Sequence, residues 1–384
     1  MRARPDRLDR LPEQYFMALL ARVAAAAAAE GDELIDLGRG NPDVPPPPHV
    51  VEALAAAARK PGAHGYPPFR GIPELREAVA ARYRDVYGVE LDPHAEVAVV
   101  PGTKTAIVEL ALCLAERGDT ILLPDPGYPD YTSGVALAGA REGRVPLEPD
   151  AAFAPDLGAA PRRAVAALYL NYPSNPCAAS APPGVFAEAV RYADETGAAV
   201  VHDFAYGDLV FDGLRPESFL AEPGAREVGV ELFSMSKSYG MAGWRLGFVV
   251  GNAEIVERVN LLQDHARAGV FRPVQEAAVA ALTGPQETVE ERRALYEARR
   301  DRVLAAIPGA RSDSTFYVWW RLPEELTPAR LLGETRVAVA PGEGFGLQGA
   351  GWARISLATP DERLDAGLAR LGALVDQPAA RNQP

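Results

Sequence analysis

The sequence is poor in cysteine, with two, and nearly as poor in lysine, with three. Its 384 residues include two cysteines, Cys113 and Cys177, too few for a disulfide framework. No run of about 18 apolar residues occurs, so no ordinary membrane-crossing helix is expected. The opening MRARPDRLDRLPEQ lacks the apolar core of a secretory signal, and a reducing cytoplasm is the expected setting. Basic charge is scarce: 39 Lys+Arg against 52 Asp+Glu leave a net −13. That balance argues against nonspecific binding to nucleic acid or anionic membranes, and it points to small molecules or a second copy as partners. No HExxH, paired CxxC or GxSxG is present, and His49, His64, His94, His202 and His265 are scattered without metal-ligand spacing, so no metal is expected. One GxGxxG match, Gly344-Phe-Gly346-Leu-Gln-Gly349, is followed by the strand-like WARISLA where a dinucleotide fingerprint needs a helix. Among the basic residues only Lys60, Lys104 and Lys237 are lysines. A chain that uses arginine for surface charge keeps lysine where an amine must lose its proton, which makes these three positions the first to inspect.

What is present reads as a globular α/β chain. Its 48% hydrophobic content suffices for two or three domains' worth of core. An arginine-rich start, expected to be mobile, leads into a helix over 12–30, which as simple packing needs no further role. The segment LGRGNPDVPPPPHV is too rich in glycine and proline for regular structure and suits a linker. Short apolar runs at 97–100, 120–123, 164–170, 198–201, 230–233 and 245–250 then alternate with helical stretches such as 105–116 and 183–195. That alternation predicts a mostly parallel sheet covered by helices. After about residue 280 come a charged helix over 287–306, strands at 315–321, 336–340 and 353–358, and a last helix from Pro360, a smaller α+β unit.

In an open α/β sheet the ligand lies beyond the carboxyl ends of the strands. This filter selects PGTK at 101–104, DPGYPDY at 125–131, NYPSNP at 171–176, HDFAY at 202–206 and SMSKSYGMAGWR at 234–245. Ser234, Ser236 and Arg245 make a natural phosphate grip. Lys237 among them fits either an added charge or the desolvated amine of a Schiff base. Asp203 ends a buried run, where a carboxylate serves as a helix cap or ion-pair partner, or holds a proton on a cofactor ring nitrogen. Tyr206 follows within one turn. PGTKTAI is a capping turn or an anion site at a helix start. Tyr128 either packs its loop or stacks on an aromatic ring.

Taken together and in order, LGRGNPD, GYPPFRGIPELREAVA, PGTKTAI, DPGYPDY, NYPSNP, HDFAY, SMSKSYGMAGWRLGF, GVFRPVQEAAVAAL, STFYVWW, PGEGFG and ARISLA resemble the class I/II aminotransferases, fold type I enzymes dependent on pyridoxal 5′-phosphate. The resemblance implies a large cofactor-binding domain over 46–280, a small domain over 281–376, an arm and linker over 1–45 packing with the small domain, and a disordered tail over 377–384. It implies that Lys237 forms the Schiff base and then moves the proton. Asp203 would pair with the pyridine nitrogen, Asn175 and Tyr206 with the phenolic oxygen, and Tyr128 would stack on the ring. Ser234, Ser236, Arg245 and the amides of Gly102, Thr103 and Lys104 would hold the phosphate. Tyr66 would reach the phosphate of a neighbouring subunit, implying a homodimer with shared sites. Arg354 would clamp the substrate α-carboxylate with help from Asn175 and the backbone at Gly40. The start LPEQYFMALLARV and GVFRPVQEAAVAAL are most similar to the diaminopimelate and succinyldiaminopimelate aminotransferase branch. The implied activity moves an amino group from an L-α-amino acid to a 2-oxo acid such as 2-oxoglutarate or pyruvate. A lyase or cyclase using the same cofactor is the alternative; a noncatalytic cofactor sensor would carry an added basic DNA-binding module, which this acidic chain is not expected to hold before residue 12. Two departures stand out: Cys177-Ala178-Ala179 follows Asn175-Pro176 where the family usually continues Thr-Gly, and Arg267 occupies a position where a small polar or acidic residue is usual. Arg267 is therefore expected to recognise a distal substrate carboxylate from the neighbouring subunit.

Overall fold

Short, continuously apolar runs cannot form amphipathic helices, and in the computed structural model, which describes residues 4–30 and 33–375, they pair into one sheet. Its strands are β1 (Val97–Val100), β2 (Thr120–Asp125), β3 (Arg141–Pro146), β4 (Val165–Asn171), β5 (Ala199–Asp203), β6 (Gly229–Ser234) and β7 (Gly247–Gly251). Their order across the sheet is β1-β7-β6-β5-β4-β2-β3. β7 runs antiparallel to both of its neighbours, while the other pairings are parallel. β3 is absent from the sequence reading because REGRVP is mostly exposed, as an edge strand permits.

Alternate side chains go to opposite faces. Ile121, Leu123, Val201 and Val249 pack with Ile107 and Leu110 of the helix Thr103–Leu114, whereas Leu122, Leu170, Val200 and Phe248 fill the other side. A second sheet joins β8 (Ala310–Arg311), β9 (Tyr317–Arg321), β10 (Ala340–Pro341) and β11 (Trp352–Ser356) in the antiparallel order β10-β11-β9-β8. Trp320, Ile355 and Leu364 belong to its apolar cluster, to which the helices Glu287–Ala306 and Asp361–Val375 contribute.

Three expectations change. The strand read over 336–340 is split, because Val337–Ala338 pairs with Ile35–Asp36 while Ala340 and Pro341 turn to β11. The first helix begins at Tyr15 rather than at 12. The start read as mobile contains a helical turn, Asp6–Asp9, and Arg10 Nε donates to the Ala136 carbonyl at 3.2 Å. The tail over 377–384 lies outside the described residues. Among the described residues no helix is long and apolar enough to cross a membrane.

Candidate active site

The carboxyl ends of β2, β4, β5 and β6 share one edge of the sheet. Because β7 runs the other way, its beginning lies there too: Gly247 pairs with Ser234 on one side and with Val100 on the other. Arg245, just before β7, and the turn after β1 therefore meet at one corner. Gly102 caps the helix Thr103–Leu114 at φ +85°, and a Cβ there would stand 2.4 Å from Arg245 Nη2. Thr103 and Lys104 open that helix, where N–H groups have no intrahelical acceptor and the dipole favours an anion. Lys104 also pairs with Asp130 at 2.9 Å. Ser234 Oγ accepts the Ser236 N–H at 3.2 Å, capping the short helix Met235–Ser238 that carries Lys237.

At the next strand ends, register places Asn171 beside Asp203. The buried Asp203 accepts the Tyr131 hydroxyl at 2.8 Å and the Ala205 N–H at 3.2 Å. Burial pushes its carboxyl above the usual range, opposed by those hydrogen bonds and, more weakly, by the neighbouring His202 and Lys237. Asn171 donates to the Asp203 carbonyl at 2.8 Å and accepts the Asn175 N–H at 2.7 Å, which fixes the loop carrying Asn175.

Lys237 Nζ is 3.4 Å from the Gly40 carbonyl, 5.5 Å from the centre of the Tyr206 ring and 5.0 Å from that of Phe316. Burial first, then the guanidiniums of Arg354 and Arg245, lower its ammonium to about 7, against a smaller upward pull from Asp203. At neutral pH much of this amine is therefore an unprotonated nucleophile. Arg354 is fully buried: Nη1 donates to Asn175 Oδ1 at 2.6 Å, Nη2 donates to the Gly38 carbonyl at 3.1 Å, and the guanidinium lies 3.9 Å from the Tyr317 ring centre. Its Nε has no hydrogen-bond partner among the described residues.

These groups surround one cavity of about 470 Å³, lined in part by Gly40, Thr103, Lys104, Tyr128, Asn175, Asp203, Tyr206, Ser234, Ser236, Lys237 and Arg245. Gly102 and Arg354 sit just behind the lining. Two residues named from the sequence are not brought to it. Tyr66 is 87% exposed on this chain. Arg267, expected at a neighbouring subunit's site, donates from Nε to Glu109 at 2.7 Å within its own chain. The sequence reading missed Phe16, Leu19, Leu20, Arg39 and Tyr317 in the lining, and Tyr131 beneath it. Tyr131 stands three residues after Tyr128, at the first position of the helix Tyr131–Ala138, within the same DPGYPDY motif; Phe16 and Tyr317 come from remote elements and leave no such signal. No hydrogen bond or ion pair among the described residues engages the Arg39 guanidinium.

The donor set fits pyridoxal 5′-phosphate. An anion cradle of hydroxyls, helix-start amides and Arg245 lies at one end, a buried carboxylate at the other, and a neutralised amine between them, with an orphaned guanidinium nitrogen beside the Asn175 side chain. The family model for aminotransferase class I and II matches residues 32–371. The L-glutamine–4-(methylsulfanyl)-2-oxobutanoate aminotransferase of Bacillus subtilis strain 168 is 47% identical over 96% of this chain and 95% of its own length. The LL-diaminopimelate aminotransferase of Desulforudis audaxviator is 42% identical over 95% of this chain and 96% of its own. Among solved structures, substrate-bound BacF from Bacillus subtilis superposes with a TM-score of 0.92 at 38% identity, covering 97% of this chain and 98% of that one. N-succinyldiaminopimelate aminotransferase from Mycobacterium tuberculosis gives 0.88 at 30%, covering 97% and 100%. These names are all of aminotransferases, so a lyase or cyclase is not favoured. The chain belongs to the class I and II aminotransferase family, with its fold type I architecture and its pyridoxal 5′-phosphate cofactor, and is a transaminase.

Proposed function

We propose that this transaminase works through the cavity at the sheet edge, with Lys237 as the catalytic amine, and that it moves the amino group of an L-α-amino acid to 2-oxoglutarate or pyruvate. The observation that carries the assignment is the Lys237 amine, held near neutrality between Arg354 and Asp203 and facing the Gly40 carbonyl. Bound there, pyridoxal phosphate supplies an electron sink for the charge left at Cα when the α-proton departs. Lys237 would take that proton and return it, a contribution of roughly 10²–10⁴-fold. Asp203, kept in place by Tyr131 and Ala205, holds the proton on the ring nitrogen. Asn175 and Tyr206 would hold the ring oxygen, Tyr128 would stack on the ring, and Ser234, Ser236, Arg245 and the amides of Gly102, Thr103 and Lys104 would hold the phosphate. Arg354, with Asn175 and the backbone at Gly40, orients the substrate carboxylate bidentately.

The same reading takes residues 46–280 as the cofactor domain and 281–376 as the small domain, with the arm and linker over 1–45. It makes the enzyme a cytoplasmic homodimer in which Tyr66, exposed on its own chain, completes the neighbour's phosphate site. Amino-acid biosynthesis is the metabolic setting, and the donors of the named relatives, glutamine and diaminopimelate, are the first to try. Absorption spectra of the holoenzyme, taken after adding single L-amino acids without an oxo acid, test the reading. An imine band absent from Lys237→Ala that converts to the pyridoxamine form with a particular amino acid identifies chemistry and donor together. A band that persists in Lys237→Ala would show that another amine carries the cofactor.

A further inference from the structure

His202, one of the histidines scattered through the sequence, is fully buried next to Asp203 on β5, and its side chain is among those filling the opposite face of the sheet. Nε2 lies 2.8 Å from the Tyr172 carbonyl and Nδ1 lies 2.8 Å from Glu231 Oε2. A carbonyl oxygen only accepts, so Nε2 carries a proton. Glu231, also fully buried and directly opposite on β6, already receives the Tyr83 hydroxyl at 2.7 Å, the Ser218 hydroxyl at 3.0 Å and the Phe219 N–H at 2.9 Å. A carboxyl surrounded by that many donors is an ionised acceptor, and Nδ1 must then donate as well. Phe186, Phe204 and Phe219 pack against the ring. Asp203, the next residue on β5, also feels the ring, which favours its ionised form.

We propose that His202 is a positioning residue of the transamination site: as a buried imidazolium clamped between Glu231 and the Tyr172 carbonyl, it locks the Asn171–Asn175 loop against β5. The proposal rests on the reading of the site given above. Tyr172 lies between Asn171, bonded to the Asp203 backbone, and Asn175, bonded to Arg354. One clamp thereby sets the substrate-carboxylate end and the ring-nitrogen end of the cavity relative to each other, and places a fixed positive charge behind Asp203. Two acceptors and a compensated charge define the ring orientation more tightly than packing alone does.

The test combines nitrogen NMR of holoenzyme labelled at histidine with steady-state kinetics of His202→Gln and His202→Phe. Both ring nitrogens of His202, assigned by their loss in His202→Gln, are expected to report N–H in the active holoenzyme; one unprotonated nitrogen overturns the imidazolium. His202→Phe is expected to raise KM for the amino acid about tenfold and to shift the pH midpoint of the cofactor absorption band. His202→Gln, which keeps a donor for the Tyr172 carbonyl but no charge, is expected to restore KM and leave the midpoint shifted. If both variants lower only thermal stability while KM, kcat and the midpoint stay unchanged, His202 is structural and the proposal fails. Loss of transamination in the unmodified enzyme sinks the reading of the site instead, and leaves the NMR result standing.

Discussion

Lys237 and Asp203 differ in the sign of what burial does to them. An amine is charged below its pKa, so burial favours the free base; a carboxyl is charged above its pKa, so burial favours the acid, and the donors and cationic neighbours of Asp203 oppose that rise. With the ammonium lowered to about 7, the rate at which cofactor-free protein captures pyridoxal phosphate is expected to rise with pH to about 7 and then level off. An ordinary lysine would continue to gain rate toward pH about 10, and a profile still climbing above pH 9 would mean that the amine is not desolvated. Arginine contrasts are equally local. Arg267 is tied to Glu109, which also accepts from Gln263, whereas Arg39 lies in the cavity lining with its guanidinium free among the described residues. Arg39→Gln is therefore expected to lower kcat/KM for 2-oxoglutarate about tenfold more than for pyruvate, the worth of one charge-assisted hydrogen bond. The same paired assay on Arg267→Ala reads the distal role expected of Arg267: a ratio left nearly unchanged assigns that role to Arg39, and a larger change than in Arg39→Gln assigns it to Arg267. The residue types and their order were legible in the sequence, but the partner of each guanidinium was not, because Glu109 and Arg267 meet only through packing of two helices.

At the scale of elements, the loop after β4 shows how a turn survives without its usual glycine. Ala178 takes the left-handed conformation, φ +54°, fully buried, its N–H donating to the Ser174 carbonyl at 3.0 Å and its carbonyl accepting from Asp313 and Ser314. The sequence reading held that this turn cannot rely on glycine flexibility; the fold holds it there by hydrogen bonds instead. A left-handed alanine costs about 1–2 kcal/mol, and glycine returns part of that as unfolded-state entropy, about 0.4–1 kcal/mol. Ala178→Gly is expected to stabilise the protein by up to about 1 kcal/mol, read as a small rise in Tm, without changing KM. A fall in Tm would mean that the methyl group's packing outweighs the strain. Strand positions were readable because fully buried strands are apolar throughout. The edge strand β3 and the split at Val339 were not, since an exposed edge carries no apolar period and pairing partners are a tertiary matter.

Across the whole molecule, the two sheets are joined beside the cavity by Asp125 at the end of β2. Its carboxylate accepts the N–H groups of Leu347 at 3.2 Å and Gln348 at 3.1 Å, while Gly127 N–H donates to the Phe345 carbonyl at 2.8 Å. Gly346 is required there, with φ +133° and a Cβ position 2.0 Å from Asp125 Oδ1. Phe345 in turn lies 4.8 Å from the Arg354 guanidinium. Asp125→Ala leaves two donors short of an acceptor, a loss of about 1–3 kcal/mol. Hydrogen exchange over 342–349 is expected to quicken and KM for amino acids to rise; unchanged exchange would show that the joint does not depend on this carboxylate. The glycine-rich PGEGFG that formally matched a nucleotide fingerprint is thus used at the joint between sheets.

By itself the sequence determined the alternation that makes a parallel sheet, the polar residues at its carboxyl edge, and the ordered motifs that identify the family, because each is a property of neighbours along the chain. Only the tertiary structure decided which of those residues share a cavity, that Lys237 sits between two guanidiniums and a buried carboxylate, that Arg267 is occupied while Arg39 is free among the described residues, and that His202 has an acceptor at each nitrogen. Charge state, burial and partner choice depend on groups far apart in sequence, and they are fixed only when the strands settle into register.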